Sequence, residues 1–248
     1  MDKTQVDSKH AKAGSPSLTI AHDDALALVS HELRTPLTVI TGMSAALQRD
    51  TCWAANGGDA RRAQALADIF DAGKRMERMV ENVLLLATTA DEPFDPEPLN
   101  IRALIEEALV RHHGDFPASV VIFDRSPPSL VAVGIPTWVG LILANVLRNA
   151  AQYGAAGEAI RISTRGDGQQ ISIRIEDGGP ALTVGEYQQM FEPFYRGPRT
   201  ELRVTGAGLG LTVARRLAGA QGGSIVAGTI AGGSGTVVTI ALPAATDA

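Results

Sequence analysis

Glu92-Pro93-Phe94-Asp95-Pro96-Glu97-Pro98 divides this chain into two unlike halves. Each proline disfavours helix in the residue before it, so this acidic run is a stiff break that a helix does not cross. We read residues 93–98 as a linker, with residues 21–92 before it and 99–248 after it as separate domains.

On the N-terminal side, apolar residues fall at Leu26, Val29, Leu33, Ile40, Met43 and Leu47, and Pro36 fills the remaining slot of an alternating three-and-four spacing. That is a heptad seam. Ile69, Gly73, Met76, Val80, Val83, Ala87 and Ala90 repeat it after a loop, Arg49 to Asp59, that contains Asn56, Gly57 and Gly58. The spacing predicts two antiparallel helices. A lone hairpin of this kind buries little surface, so the seams favour pairing with a second copy as a dimeric four-helix bundle; a hairpin packed on its own chain is the alternative.

On the C-terminal side the pattern mixes helix and strand. Helices are expected at about Ile101 to Arg111, Pro136 to Gln152 and Gly208 to Ala220, and strands near Val120 to Phe123 and Leu130 to Val133. Ile160, Ile162 and Thr164 alternate with polar residues, Gly166-Asp167-Gly168 turns the chain, and Ile171, Ile173 and Ile175 alternate back. This is a hairpin with one apolar face. A loop from Asp177 to Gly206 and closing strands near Ser224 to Thr229 and Thr236 to Leu242 complete an α/β sandwich. The fold class is thus α+β and multidomain.

Composition narrows the function. Lys and Arg number 22 against 27 Asp and Glu, a net charge of −5, which removes the basic footprint that direct nucleic-acid binding needs. Cys52 is the single cysteine, so no intrachain disulfide forms and a reducing, cytoplasmic compartment fits. Residues 1–20 are polar and lack the apolar core of a signal peptide; they read as a flexible tail. Ser126 to Leu147 carries no charge, but Pro127, Pro128, Gly134 and Pro136 break it. A strand followed by a helix is expected there, not a membrane span.

Four constellations carry chemistry. Counting 100° per residue from the first seam puts His31 on the outer face of its helix, with Thr35 one turn on and Glu32 beside the ring. An outward imidazole next to a carboxylate suits a nucleophile, although a solvated histidine has the same address. Pro36 removes a backbone donor in mid-helix, the mark of a bend. Asn145 and Asn149 share a helix face and can offer carbonyl oxygens to a hard cation. Asp177-Gly178-Gly179-Pro180 ends a strand with an acid that can accept from an exocyclic amine, or is a plain turn. Gly206-Ala207-Gly208-Leu209-Gly210-Leu211 opens a helix, where backbone N–H groups and the helix dipole favour phosphate. It fits neither a dinucleotide fingerprint, which follows a first strand, nor a P-loop, which continues Gly-Lys-Ser/Thr.

Their order is what identifies them. Ser30-His-Glu-Leu-Arg-Thr-Pro-Leu-Thr38, then Asn145/Asn149, then Asp177-Gly-Gly-Pro180, then Phe191-Glu-Pro-Phe194-Tyr-Arg196, then the Gly206 to Gly210 loop resembles the sensor histidine kinases of two-component systems over about Ala21 to Pro243. The first segment resembles that family's phosphoacceptor box, and the others its N, G1, F and G2 boxes.

The resemblance implies a helical hairpin followed by an ATP-binding domain of the Bergerat (GHKL) fold. It implies a homodimer that uses ATP and Mg²⁺, with Asn149 as metal ligand and Asn145 beside it at the phosphates. Asp177, with Gly179, would receive the adenine amino group, and Tyr153 would stack near the base. Gly206, Gly208 and Gly210 would hinge a lid spanning Ala181 to Thr205, anchored by Phe191 and Phe194, with Arg196 at a phosphate. His31 would take the γ-phosphoryl group, with Glu32 orienting the ring and accepting its proton, and pass it to an aspartate of a response regulator. Thr35 matches the position that holds water for hydrolysis of that aspartyl phosphate. Two positions depart from the pattern. Ala181 stands where the family has the last glycine of Asp-x-Gly-x-Gly, and a methyl there disfavours a positive-φ backbone; Gln152 replaces a basic residue. A non-catalytic dimeric scaffold and an ATPase of the gyrase and chaperone group, for which His31 has no role, are the competing readings.

Overall fold

The computed structural model describes residues 22–48, 58–88, 95–112, 121–124, 130–155, 157–197, 207–230, 232 and 234–245. The tail, Cys52, most of the interhelical loop, the start of the linker and Gly206 lie outside the described residues.

Helices α1 (His22–Gln48) and α2 (Gly58–Thr88) pack against each other. Pro36 is buried within α1, which stays α-helical on both sides of it. On α2 the buried positions are Ala65, Ala72 and Met79, one heptad apart. Ile69, Met76 and Val83 face the same way, but the expected partners Gly73 and Val80 are replaced by Ala72 and Met79: Val80 is 45% exposed whereas Met79 is 7% exposed. The inner seam is therefore rotated by one residue from the expected one. The reason is that α2 carries two adjacent apolar seams, and the sequence alone does not say which one meets α1. The second, through Leu66, Phe70, Val80 and Leu84, is exposed. Gly58 and Asp59, expected in the loop, begin α2.

The second half begins two residues earlier than expected. Glu97 and Pro98, read as linker, belong to strand β1 (Glu97–Asn100), which pairs antiparallel with β3 (Val131–Gly134). Proline is tolerated at a strand that has one neighbour, where its missing N–H costs no ladder bond. Asn100 then caps α3 (Ile101–Arg111), its side chain accepting from Ala103 N–H at 3.0 Å.

Strands β2 (Val121–Phe123), β4 (Ile160–Gly166), β5 (Gln170–Asp177), β6 (Ser224–Thr229) and β7 (Thr236–Pro243) form one sheet in the order β2-β4-β5-β7-β6. Only the β2–β4 pair is parallel. The alternating isoleucines behave as expected: Ile162, Ile173, Ile175 and Ile240 point to one face and are fully buried. That face is covered by Ile101 and Ile105 of α3, by Ile142, Leu143 and Leu147 of α4 (Pro136–Tyr153), and by Leu217 of α6 (Gly210–Ala220). Burying each of these side chains contributes about 1.5–3 kcal/mol, which makes this layer the main source of stability. The uncharged stretch before Leu147 resolves into β3 and the start of α4, and no described helix is long and apolar enough to cross a membrane.

Gln221 locks the entry to α4. Its Oε1 accepts from Ile135 N–H at 2.8 Å, and its Nε2 donates to Leu217 O at 2.9 Å. The first bond satisfies a donor at a helix start that has no side-chain cap of its own.

The expected loop from Asp177 to Gly206 is not continuous. It contains α5 (Val184–Gln189), started by a capping box in which Glu186 N–H donates to Thr183 Oγ1 and Thr183 N–H to the Glu186 carboxylate. Tyr187 is buried, and its hydroxyl is hydrogen-bonded with Thr229 of β6 at 3.2 Å. The first part of the expected lid is thus tied to the sheet.

Candidate functional site

The two halves meet around a cleft of about 580 Å3, within the usual range for small-molecule sites. Glu32, Thr35 and Pro36 reach it from α1, and Arg75, Arg78 and Asn82 from α2. Across from them stand Asn145, Arg148, Asn149 and Tyr153 of α4. Tyr195, Arg196, Gly208 and Gly210 close the remaining side.

A four-residue spacing places Asn145 and Asn149 on one face of α4, and both amides border the cleft. Asn145 is buried against Gly210: a Cβ at that glycine would stand 3.0 Å from Asn145 Oδ1. Gly208 has φ +66, and a Cβ there would be 2.7 Å from Tyr195 O. Phe194 N–H donates to Gly208 O at 3.0 Å, and Phe194 itself has φ +63. The F-box turn and the glycine loop are therefore in direct backbone contact. Phe191 is buried under the Arg215 guanidinium, 5.2 Å from its ring centroid.

A second pocket of about 90 Å3 adjoins the cleft and shares Asn149, Tyr153, Met190, Tyr195 and Leu211 with it. Asp177, Gly179 and Thr236 line it. Gly179 N–H donates to Asp177 Oδ1 at 2.8 Å. Burial pushes the Asp177 carboxyl up to about 6, partly offset by that hydrogen bond. A Cβ at Gly179 would fall 2.7 Å from Tyr153 O and from Asp177 Oδ1, so only glycine leaves the acid in place.

His31 is exposed, its side chain 69% accessible, with Nδ1 3.9 Å from Glu32 Oε1. It lines neither pocket, although Glu32 and Thr35 do line the larger one. Phe194 lines neither pocket; its link to the cleft is the backbone hydrogen bond to Gly208. Of the expected site residues, Asn145, Asn149, Tyr153, Arg196, Gly208 and Gly210 converge on the cleft, and Asp177 and Gly179 on the pocket beside it. Ala181 does not require a left-handed backbone, since Phe194 is the single non-glycine residue with positive φ among the described residues. The charge missing at Gln152 is present one turn earlier as Arg148. The sequence reading missed Arg75, Arg78 and Asn82, because the face of α2 that meets the second half is not encoded in α2 itself. Among the described residues, no group of three or more His, Cys, Asp or Glu side chains could hold a metal. The amide oxygens of Asn145 and Asn149 suit an ion that keeps most of its ligands from water and phosphate, as Mg²⁺ does.

A helical hairpin bearing an outward histidine, joined to an α/β domain with a glycine-lined nucleotide-type cleft, defines a class: phosphoacceptor hairpins coupled to ATP-binding domains. Residues 21–92 match the His Kinase A (phospho-acceptor) domain, and residues 134–246 match the histidine kinase-, DNA gyrase B- and HSP90-like ATPase family. The chain belongs to the two-component sensor histidine kinase family, and its second half is an ATP-binding domain of the GHKL group. It is 28% identical over 244 residues to the sensor-like histidine kinase SenX3 of Mycobacterium tuberculosis, an alignment covering 96% of this chain and 58% of that protein. The chain thus spans little more than half of that relative. The histidine kinase AdeS of Acinetobacter baumannii has the same fold, with a TM-score of 0.63 at 22% identity over 86% of this chain and 97% of that one. The histidine kinase ThkA, solved in complex with the response regulator protein TrrA, superposes with a TM-score of 0.63 at 19% identity, covering 90% of this chain and 61% of that one.

Proposed function

We propose that this chain autophosphorylates His31 from Mg-ATP and passes the phosphoryl group to an aspartate on a response-regulator receiver. One observation carries this reading: Glu32 and Thr35, the neighbours of an exposed His31, line the same cleft as the asparagines and glycines of the ATP-binding domain.

The small pocket offers adenine an acceptor for its amino group in Asp177 and a ring beside the base in Tyr153, with the triphosphate directed past Asn149 toward the larger cleft. Asn149, with Asn145 beside it, would hold Mg²⁺, and an ion there would supply neutralisation of charge on the phosphate oxygens. Gly208 and Gly210 let the backbone approach the phosphates, and Arg196 offers a guanidinium to them. Phosphoryl transfer depends mainly on positioning and charge neutralisation, which these groups supply.

The unprotonated His31 nitrogen forms a bond to the γ-phosphorus while the bond from that phosphorus to the β–γ bridging oxygen breaks. ADP leaves with the electron pair. The proton on the other ring nitrogen, Nδ1, passes to the Glu32 carboxylate. The 3.9 Å between them closes to hydrogen-bond length by side-chain rotation. Because His31 lies outside the cleft lining, transfer requires the ATP-binding domain to move along the hairpin, and Pro36, which removes a backbone donor within α1, is a place where that helix can bend. The reaction belongs in the cytoplasm, where ATP and receiver domains are found.

The exposed seam through Leu66, Phe70, Val80 and Leu84 supports a homodimer in which two hairpins bury these side chains as a four-helix bundle. The open surface around His31 supports docking of a receiver, and ThkA, a protein of the same fold, has been solved in complex with a response regulator protein.

The test is incubation with γ-labelled ATP beside a His31→Gln control. Acid-labile, alkali-stable label on the parent chain alone is the expected result. Label surviving in the variant would overturn the assignment of His31, and phosphate release without a phosphoprotein would favour the ATPase reading.

A further inference from the structure

Four guanidinium groups line the large cleft: Arg75 and Arg78 from the hairpin, and Arg148 and Arg196 from the ATP-binding domain. Glu32 is the single acidic residue among its lining residues. In a chain of net charge −5, this is a local concentration of positive charge against the overall balance. It is also drawn from both domains. Arg75, Arg78 and Asn82 follow at intervals of three and four residues, so they form one ridge on α2. Met79, on the same ridge, is buried, which fixes the direction in which that ridge points. Farther along α2, Leu85 and Leu86 pack against the core of the second domain and hold the two halves together.

The positions of the two pockets orient a nucleotide. The base end is at Asp177, far enough along that neither α2 arginine lines the small pocket. The cleft that Arg75 and Arg78 do line is also where Glu32 and Thr35 appear, beside the acceptor histidine. The phosphate lying nearest the hairpin is therefore the terminal one.

We infer that Arg75 and Arg78 complete the nucleotide site from outside the ATP-binding domain, recognising the γ-phosphate of ATP and so favouring ATP over ADP. This rests on the kinase reading given above. A planar guanidinium fork matches two phosphate oxygens at once, which a single ammonium does not. Loss of the γ-phosphate on transfer removes the group these side chains hold, and with it the attraction that draws the ATP-binding domain onto the hairpin. Arg75 and Arg78 thus contact the terminal phosphate itself, linking the phosphorylation state of the nucleotide to the arrangement of the two domains.

The experiment is equilibrium titration of the full chain with Mg-ATP and Mg-ADP against a fluorescent nucleotide competitor, in the His31→Gln background so that no turnover occurs. R75A/R78A is expected to weaken ATP about tenfold or more and ADP less than about threefold, with a shallower salt dependence for ATP. The thermal midpoint reports whether the variant is folded, and R75K/R78K, which keeps the charge, is expected to fall between the two. ATP and ADP weakened equally, or neither weakened, would overturn the inference while leaving the kinase reading intact. A parent chain that binds neither nucleotide would overturn the kinase reading, and this one with it.

Discussion

Asp177 and Gly179 are joined by a 2.8 Å hydrogen bond from the glycine N–H to the carboxylate, inside a pocket where the acid is 4% exposed. One donor does not replace the lost water, so the carboxyl is raised from 3.8 to about 6. Between these values the folded state binds more protons than the unfolded one, so stability falls as pH rises from about 4 to about 6 and then levels off. The cost at neutral pH is roughly 3 kcal/mol at most, since each tenfold change in proton affinity is worth about 1.4 kcal/mol. Asp177→Asn keeps an acceptor for Gly179 and removes the charge. It is expected to raise the thermal midpoint at pH 8 and to raise it much less at pH 4.5; an equal effect at both pH values would contradict the burial argument.

On the proposed reading, the same acid would set the pH dependence of nucleotide binding. An ionised carboxylate accepts from the adenine amino group better than a neutral one. ATP affinity, measured by titration calorimetry, is therefore expected to decline as pH drops through about 6. In Asp177→Asn, affinity should be low and independent of pH over that interval.

Gly210 and Gly208 differ in what they protect. At Gly210 an added methyl meets the side-chain amide of Asn145, which can give way. Gly210→Ala is therefore expected to fold normally and to lose roughly five- to thirtyfold in Mg-ATP affinity, or about 1–2 kcal/mol. At Gly208 the methyl meets the backbone carbonyl of Tyr195, and φ is +66, so Gly208→Ala should lower the thermal midpoint as well. Comparing the two midpoints by calorimetry separates the roles.

How much of the molecule is legible in its sequence follows from where the information resides. Period-two isoleucines in β4 and β5 are local, and those strands lie within two or three residues of expectation. The box residues were legible because short motifs carry their own backbone geometry: Gly179 must be glycine to clear Tyr153, and Gly208 to hold a positive φ. Choices between surfaces were not legible. Ala72 and Gly73, or Met79 and Val80, are adjacent apolar positions, and only packing shows which side faces α1. Helix α5 was missed although Thr183 and Glu186 form a capping box, because an isolated six-residue helix has little hydrophobic periodicity to read. Arg75 and Arg78 read as solvated charge until a second domain is placed beside them.

The exposed seam on α2 makes a prediction about assembly. Phe70 is 65% and Leu84 56% exposed, and one heptad-spaced row of such side chains is enough to direct helix pairing. Phe70→Asp together with Leu84→Asp introduces charge on the outer row without touching Ala72 or Met79 of the inner one. Sedimentation equilibrium is expected to show a dimer for the parent chain and a monomer for the variant, with helix content by circular dichroism largely kept. A parent chain that is monomeric at micromolar concentration would refute the four-helix bundle.

Thr35 lies one turn beyond His31 on α1, is exposed, and borders the cleft. The hydroxyls of Thr38 and Thr41 donate back to the carbonyls of Arg34 and Leu37 at 2.8 and 2.9 Å, as threonines within helices commonly do. The Thr35 hydroxyl makes no such bond among the described residues, which leaves it able to hold a water molecule against a docked aspartyl phosphate. Thr35→Ala removes that hydroxyl while leaving the His31 ring and Glu32 in place. It is expected to retain autophosphorylation within about threefold and to slow dephosphorylation of a phosphorylated regulator about tenfold or more, with Thr35→Ser restoring the rate. Full phosphatase activity in the alanine variant would remove Thr35 from that reaction and leave its exposure to be explained by receiver docking alone.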